Sequence, residues 1–238
     1  MKQFISIALT LMCITSFAQE KTVIKDRNAQ VRNVGSFTGI KVSSAIDLLI
    51  TQGSPSNVVV SADEDKYRDN IKTEVRNGIL NIYYETKGFN WNMGNHKIKA
   101  YVSFSTLRSL EIDGASDCKI NGSIDQPELD IKMSGASSLN GNLKINNLTF
   151  EGSGASNAKV TGSANKLNIH VTGASDFKSY DFVAEDCQAR ASGASDIRIT
   201  VNKELSVDAS GASSINYKGS PAVRELRSTG ASSVSKKS

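Results

Sequence analysis

Asp176 and Asp196 stand 20 residues apart in a chain whose repeats have about that length, and each is followed two residues later by a cation, Lys178 and Arg198. If the repeats stack, the two carboxylates come within about 5 Å, the separation a retaining glycosidase uses for its nucleophile and its acid/base. Asp117 holds the same place in an earlier repeat, and the whole column reads Asp117, Ser138, Asn157, Asp176, Asp196, Ser214, Ser233. That mixture is what a turn position tolerates, because Asp, Asn and Ser all hydrogen-bond to nearby backbone. The two cations balance the acids, and the set of acid, base, cleft and substrate positioner that catalysis needs is mostly unmet. Asp117, Asp176 and Asp196 therefore read as candidate ligand contacts and not as catalytic residues. A polysaccharide hydrolase or lyase built on Asp176 and Asp196 is the alternative.

Residues 88–96 carry a second kind of candidate contact, Phe89 and the sole tryptophan, Trp91, among asparagines and glycines. Rings that stack on pyranose faces and amides that take hydroxyls suit a sugar-binding loop. The competing reading is that Phe89 and Trp91 cover an open end of a repeat array, which needs its apolar core and strand edge protected.

Other chemistry finds less support. Serines that recur in every repeat cannot all be nucleophiles, and the two histidines, His96 and His170, have no spaced acid partner. Calcium needs several converging oxygens, and one acid per repeat supplies too few. Phosphate-loop and zinc spacings are missing, so no cofactor or metal is expected.

These residues are positioned by seven copies of Gly-Ala-Ser beginning at Gly114, Gly135, Gly154, Gly173, Gly193, Gly211 and Gly230, at intervals of 21, 19, 19, 20, 18 and 19 residues. Six, four and two places before the glycine the chain is apolar, as in Leu129, Ile131, Met133 and Leu167, Ile169, Val171. Period two means strand. A turn former precedes each glycine, and an apolar residue and then an often cationic one, such as Lys119, Lys159, Lys178 and Arg198, follow the column described above. A further turn often comes next, as at Gly122-Ser123 and Gly162-Ser163. The glycine marks a corner that needs positive φ or close backbone stacking. The expected architecture is all-β: a single-stranded parallel β-helix, or β-solenoid, with coils of about 19 residues pairing at roughly 4.8 Å per coil.

Residues 19–106 lack the tripeptide but remain strand-rich, as irregular opening coils or a cap, and 107–238 form the repeat solenoid. Asn77-Gly78 predicts a hairpin that sets Val75 opposite Leu80, Thr73 opposite Ile82 and Ile71 opposite Tyr84. Residues 63–70 suit a short polar helix or a loop. Residues 1–18, with Lys2, an apolar run and Ser16-Phe17-Ala18, read as a signal peptide cleaved near Ala18, the run being too short for a membrane span. Met12 before Cys13, where a small residue is expected, argues against lipidation. The processed chain is then exported, to the periplasm, the cell surface or the medium.

The 24 acids and 28 bases of the full sequence give no large charge imbalance. The lysines are interspersed with acids, so nucleic acid is not expected as a partner. Cys118 and Cys187 fall in different columns several coils apart, beyond the reach of about 7 Å that a disulfide requires, and read as small core residues. Lys236 and Lys237 at the last strand are a defence against end-to-end stacking.

The run Gly35-Ser36-Phe37-Thr38-Gly39-Ile40-Lys41-Val42, the segments 45–53 and 71–82, and the serial Ser-Gly-Ala-Ser units resemble the head GIN domain family, usually labelled a putative auto-transporter adhesin and common among exported Bacteroidetes proteins. The resemblance covers roughly residues 33–235. It implies a β-helical head with a surface or adhesive role and supplies no catalytic set. The function expected is an exported, non-catalytic binding module of the cell envelope that contacts a glycan or a cell-surface protein, with an enzyme or a structural spacer as the alternatives.

Overall fold

The computed structural model describes Asp26, residues 28–85 and residues 96–238. The expected signal peptide lies outside them. In chain order the strands are β1 (Gln30–Arg32), β2 (Gly39–Val42), β3 (Asp47–Gln52) and β4 (Asn57–Ala62), then the short helix α1 (Asp65–Arg68). There follow β5 (Ile71–Arg76), β6 (Ile79–Tyr84), β7 (Ile98–Phe104) and β8 (Ser109–Ile112). The repeats supply β9 (Asp117–Met133), β10 (Ser138–Gly152), β11 (Asn157–Val171), β12 (Asp176–Ala191), β13 (Asp196–Ala209), β14 (Ser214–Lys218), β15 (Ala222–Ser228) and β16 (Ser233–Lys236).

From β9 onward every coil pairs in parallel with the next, so the β-solenoid expected from the period is what forms. Each of β9 to β13 runs from one Gly-Ala-Ser corner to the next as one bent strand. The β9–β10 ladder breaks after Asn140 and again after Ile145, which divides the coil into three sides. Inside, the alternating residues form one core that runs from Ile40 to Ile215. The large rings are shared between coils: Phe177 packs edge-on against Phe150 and Phe182, with centroids 4.9 and 6.4 Å apart. Each coil covers only its neighbours, and the last one shows what that means. Val223 and Leu226 are 42% and 54% exposed, whereas their register partners Leu205 and Val207 are buried.

The Gly-Ala-Ser corners are hydrogen-bonded to one another. Alanine N–H groups donate to the glycine carbonyl one coil back, Ala155 to Gly135, Ala174 to Gly154 and Ala194 to Gly173, at 2.7–2.8 Å. Both reasons for glycine hold at once. Gly173 has φ +75°, and a Cβ there would lie 2.7 Å from the Gly154 carbonyl oxygen. The six following serines of the tripeptides from Ser116 to Ser213 are buried, and all but Ser137, whose Oγ has no hydrogen-bond partner, tie the corner from inside. Ser195 and Ser213 donate to the carbonyls of Ser192 and Ser210 at 2.9 and 2.8 Å, and Ser156 donates to Ser175. A hydroxyl satisfied by backbone in this way is a structural part.

The first coil has a corner that the tripeptide search misses. β2 pairs with β8 and β3 with β9, which stacks Ser44-Ala45-Ile46-Asp47 on Gly114-Ala115-Ser116-Asp117. Ser44 and Ala45 take positive φ of 70° and 57° without being glycine, and the Ile46 N–H donates to Ser116 Oγ. Beyond this coil, β6 and β7 pair in parallel with β2 and β3, so the stack order departs from the chain order. β5, β4 and β1 then close that end with antiparallel pairs. The hairpin at Asn77-Gly78 has the expected register, with Val75 opposite Leu80, and residues 65–68 of the ambiguous polar stretch are helical.

The corner geometry makes a prediction. Putting a non-glycine residue into the left-handed region costs about 1–2 kcal/mol, and the Gly154 carbonyl adds a clash. Gly173→Ala should lose at least that much stability in urea unfolding. Gly35→Ala, where nothing lies within 4 Å of the new Cβ, should stay within about 0.5 kcal/mol of the parent.

Candidate functional site: the polar column after the corner

Register places the predicted column in one line. Asp117 pairs with Ser138, Ser138 with Asn157, Asn157 with Asp176, Asp176 with Asp196, Asp196 with Ser214, and Ser214 with Ser233. Asp176 and Asp196 are thus brought together as neighbours. Lys178 Nζ lies 2.5 Å from Asp176 Oδ2 and 3.9 Å from Asp196 Oδ2, and Arg198 Nη2 lies 2.8 Å from Asp196 Oδ2. Ser214 Oγ also donates to Asp196 Oδ1 at 2.8 Å. Asp117 sits apart from this cluster and accepts from Ser138 Oγ.

The arrangement is a compact, partly buried set of two acids and two cations, with the acids already satisfied by their own chain. A carboxylate so held can accept further hydrogen bonds from a ligand. To act as a nucleophile or proton donor it would also need a cleft that brings substrate to it. A groove lies on another side of the coil, and neither Asp176 nor Asp196 lines it. Among the described residues, no three His, Cys, Asp or Glu side chains converge as a metal site.

At the start of the column Asp47 precedes Asp117 in the stack. Its carboxyl is held above the ordinary value, first by partial loss of water and then by the Asp117 charge, with Lys99 and Lys97 pulling the other way. Asp47 as a residue is exposed, so water screens this effect. One place before the corner glycine the sign reverses. Asp113 accepts from Ser134 Oγ at 2.5 Å and from the Gly114 N–H, and these bonds lower its pKa.

Both cysteines are buried and free, as their columns require. Burial pushes the Cys187 thiol up to about 12 and the Cys118 thiol higher still, so neither is a nucleophile. Phe89 and Trp91 lie outside the described residues. His96 stacks on Tyr67 with centroids 3.7 Å apart, and the neighbouring Lys97 N–H donates to Asp63. His170 is exposed in a different column from the acids.

Sequence reasoning missed a charge ladder three places before the corner glycine. It reads Lys41, Glu111, Lys132, Glu151, His170, Arg190, Asp208, Arg227, and it closes ion pairs at Lys41–Glu111 (2.5 Å) and Lys132–Glu151 (3.2 Å). Aligning the outward positions of the repeats, as was done for the inward ones, exposes this signal.

A family model described as "Putative auto-transporter adhesin, head GIN domain" matches residues 36–221. The fold is similar to that of a putative adhesin from Bacteroides fragilis (TM-score 0.81, 20% identity, 88% of this chain and 96% of that one). It is also similar to a putative adhesin from Parabacteroides merdae (0.66, 16%, 89% and 96%) and to a putative lipid binding protein from Parabacteroides distasonis (0.62, 18%, 89% and 98%). None of the curated proteins matches the chain.

The Asp113 contact is open to a pH test. An acid with a lowered folded pKa stabilises the fold above its unfolded value, near 3.9, and loses that contribution as pH falls through the folded one. Ser134→Ala should therefore be less stable than the parent at pH 7, with the gap in Tm narrowing as pH drops below about 4. A gap that stays constant from pH 7 to pH 2 would contradict this assignment.

Proposed function

The chain belongs to the head GIN domain family, and from that premise we propose that it is an exported, non-catalytic binding module whose stacked coils display columns of polar side chains to a glycan or a cell-surface protein. The observation that carries this reading is the state of Asp176 and Asp196. They stand side by side, partly buried and ion-paired with Lys178 and Arg198, and do not line the groove. Acids held in this way offer hydrogen-bond acceptors to a partner and are already neutralised by their own chain.

The filled interior supports the same reading. Leu129, Phe150, Ile169, Phe177, Phe182 and Val207 occupy the space within the coils and are buried. A ligand must then be met from outside, lipid included, although one structural relative is described as a lipid binding protein. No helix of the described residues is long and apolar enough to cross a membrane. Export rests on the leader-like residues 1–18 and on the family's adhesin label. The proposed contacts are the column of Asp117, Asp176 and Asp196, together with Phe89 and Trp91.

Purified processed protein should bind to glycan arrays or to whole cells, and should not turn over the polysaccharides on the array. Binding absent from both formats would overturn the proposal. Turnover that disappears in the Asp176→Asn/Asp196→Asn variant would replace it with the enzyme.

A further inference from the structure

A groove runs along a different side of the solenoid from the acidic cluster. Seven and five places before the corner glycine, two outward columns lie side by side: Asn147 with Thr149, Lys166 with Asn168, and Asp186 with Gln188. Glu204 and Ser206 extend it to a fourth coil. The shallow trough has a volume of about 440 Å³ and extends roughly 14 Å along the stack at about 4.8 Å per coil.

Apart from Glu204, which is paired with Arg224, the polar side chains lining this trough differ from the corner acids in one respect. Asn147, Thr149, Lys166, Asn168, Asp186 and Gln188 have no side-chain hydrogen bond or ion pair among the described residues. On the neighbouring sides, comparable groups satisfy one another: Ser123 with Asn142, Asn142 with Thr161, and Asn165 with Asn146. Within the trough, ladders of that kind are missing, and the donors and acceptors remain available to a ligand.

The chemistry of the trough selects the ligand class. A peptide strand cannot add here, because the backbone of β10 to β13 is already paired on both sides. A lipid tail finds no apolar opening, since the floor residues Leu148, Leu167 and Cys187 are at most 5% exposed. Nucleic acid would need a cationic track, and Lys166 is set against Asp186 and Glu204. What matches is a chain of hydroxyls. A hydroxyl both donates and accepts, and so do the Asn and Gln amides and the Thr hydroxyl. A groove that repeats with every coil also suits a ligand that repeats along its own length.

We propose that this trough binds an extended polysaccharide strand lying along the solenoid axis, with Asn168 and Gln188 as its central hydrogen-bonding residues. The proposal rests on the binding-module reading and deepens it, by adding on this side a glycan contact to those of the corner column. Without an aromatic platform each sugar contributes little, so affinity rises with chain length as successive coils engage.

The test uses the purified processed protein and a panel of soluble β-glucan, xylan, homogalacturonan and mucin, with affinity measured for the long chains and for their short oligosaccharides. The expected result is binding to at least one long chain, weaker binding of its oligomers, and a loss of about tenfold or more in Asn168→Ala/Gln188→Ala. Asp125→Asn/Lys144→Gln, an exposed ion pair outside the trough and the corner column, should bind like the parent. Both mutated pairs are on the surface, and an unchanged Tm confirms that the variants fold. Polysaccharide binding untouched by the Asn168/Gln188 variant overturns the trough but leaves the binding module standing. Binding to cells with no response to any glycan overturns the polysaccharide as ligand. Silence on cells and glycans alike overturns the module itself.

Discussion

The approach of one corner to the next, alanine N–H to glycine carbonyl at 2.7–2.8 Å in the central coils, is the contact on which the rest of the solenoid depends. It fixes the residue type twice. The chain must turn through positive φ, and the space that a Cβ would fill belongs to the preceding carbonyl. With the corners in register, the strands that leave them are in register too, and the apolar residues at alternate positions fall into continuous inner columns. Ser195 and Ser213 complete the arrangement by donating into the same turns. A coil cannot bury its own apolar face, so this inter-coil contact decides whether there is a core at all.

A consequence for function follows from the same contact. Backbone donors and acceptors are used between coils and the interior is filled, which leaves recognition to the outward columns. These columns are not equivalent. In the column after the corner, acids and cations neutralise one another, as Asp176, Asp196, Lys178 and Arg198 do. Three places before the corner, Lys132 and Glu151 pair between coils. Asn168 and Gln188, five places before it, keep their side-chain polar groups uncommitted. Membership of an adhesin family agrees with a scaffold on which one wall or another can be adapted to a partner while the corners stay the same.

Much of this was legible in the sequence, for a physical reason. A period near 19, inward alternation and a glycine at a fixed phase admit few structures, and the Asn77-Gly78 turn dictates the register of its hairpin. The disulfide could be dismissed from phase alone, because Cys118 and Cys187 belong to different columns. What was not legible depended on relations between distant segments. Ser44-Ala45-Ile46 shares only alanine with the tripeptide, yet it stacks on Gly114-Ala115-Ser116 as a corner, held by pairing of β2 with β8 and of β3 with β9. The displacement of β6 and β7 beyond β2 and β3 leaves no local mark. As for the candidate site, the column of Asp117, Asp176 and Asp196 was predicted as a line and forms one. Its neutralisation is partly visible in the spacing of Lys178 and Arg198. The trough was invisible, because unpartnered amides look the same in sequence as paired ones.

The corners are part of the hydrogen-bonded stack and not surface turns. Native-state hydrogen exchange at the amides of Ala155, Ala174 and Ala194 tests this most directly. These amides should exchange as slowly as those of the buried strand residues Ile169 and Val207, and only through opening of the solenoid. Exchange at the alanines on the timescale of exposed loops, while the strands stay protected, would contradict it.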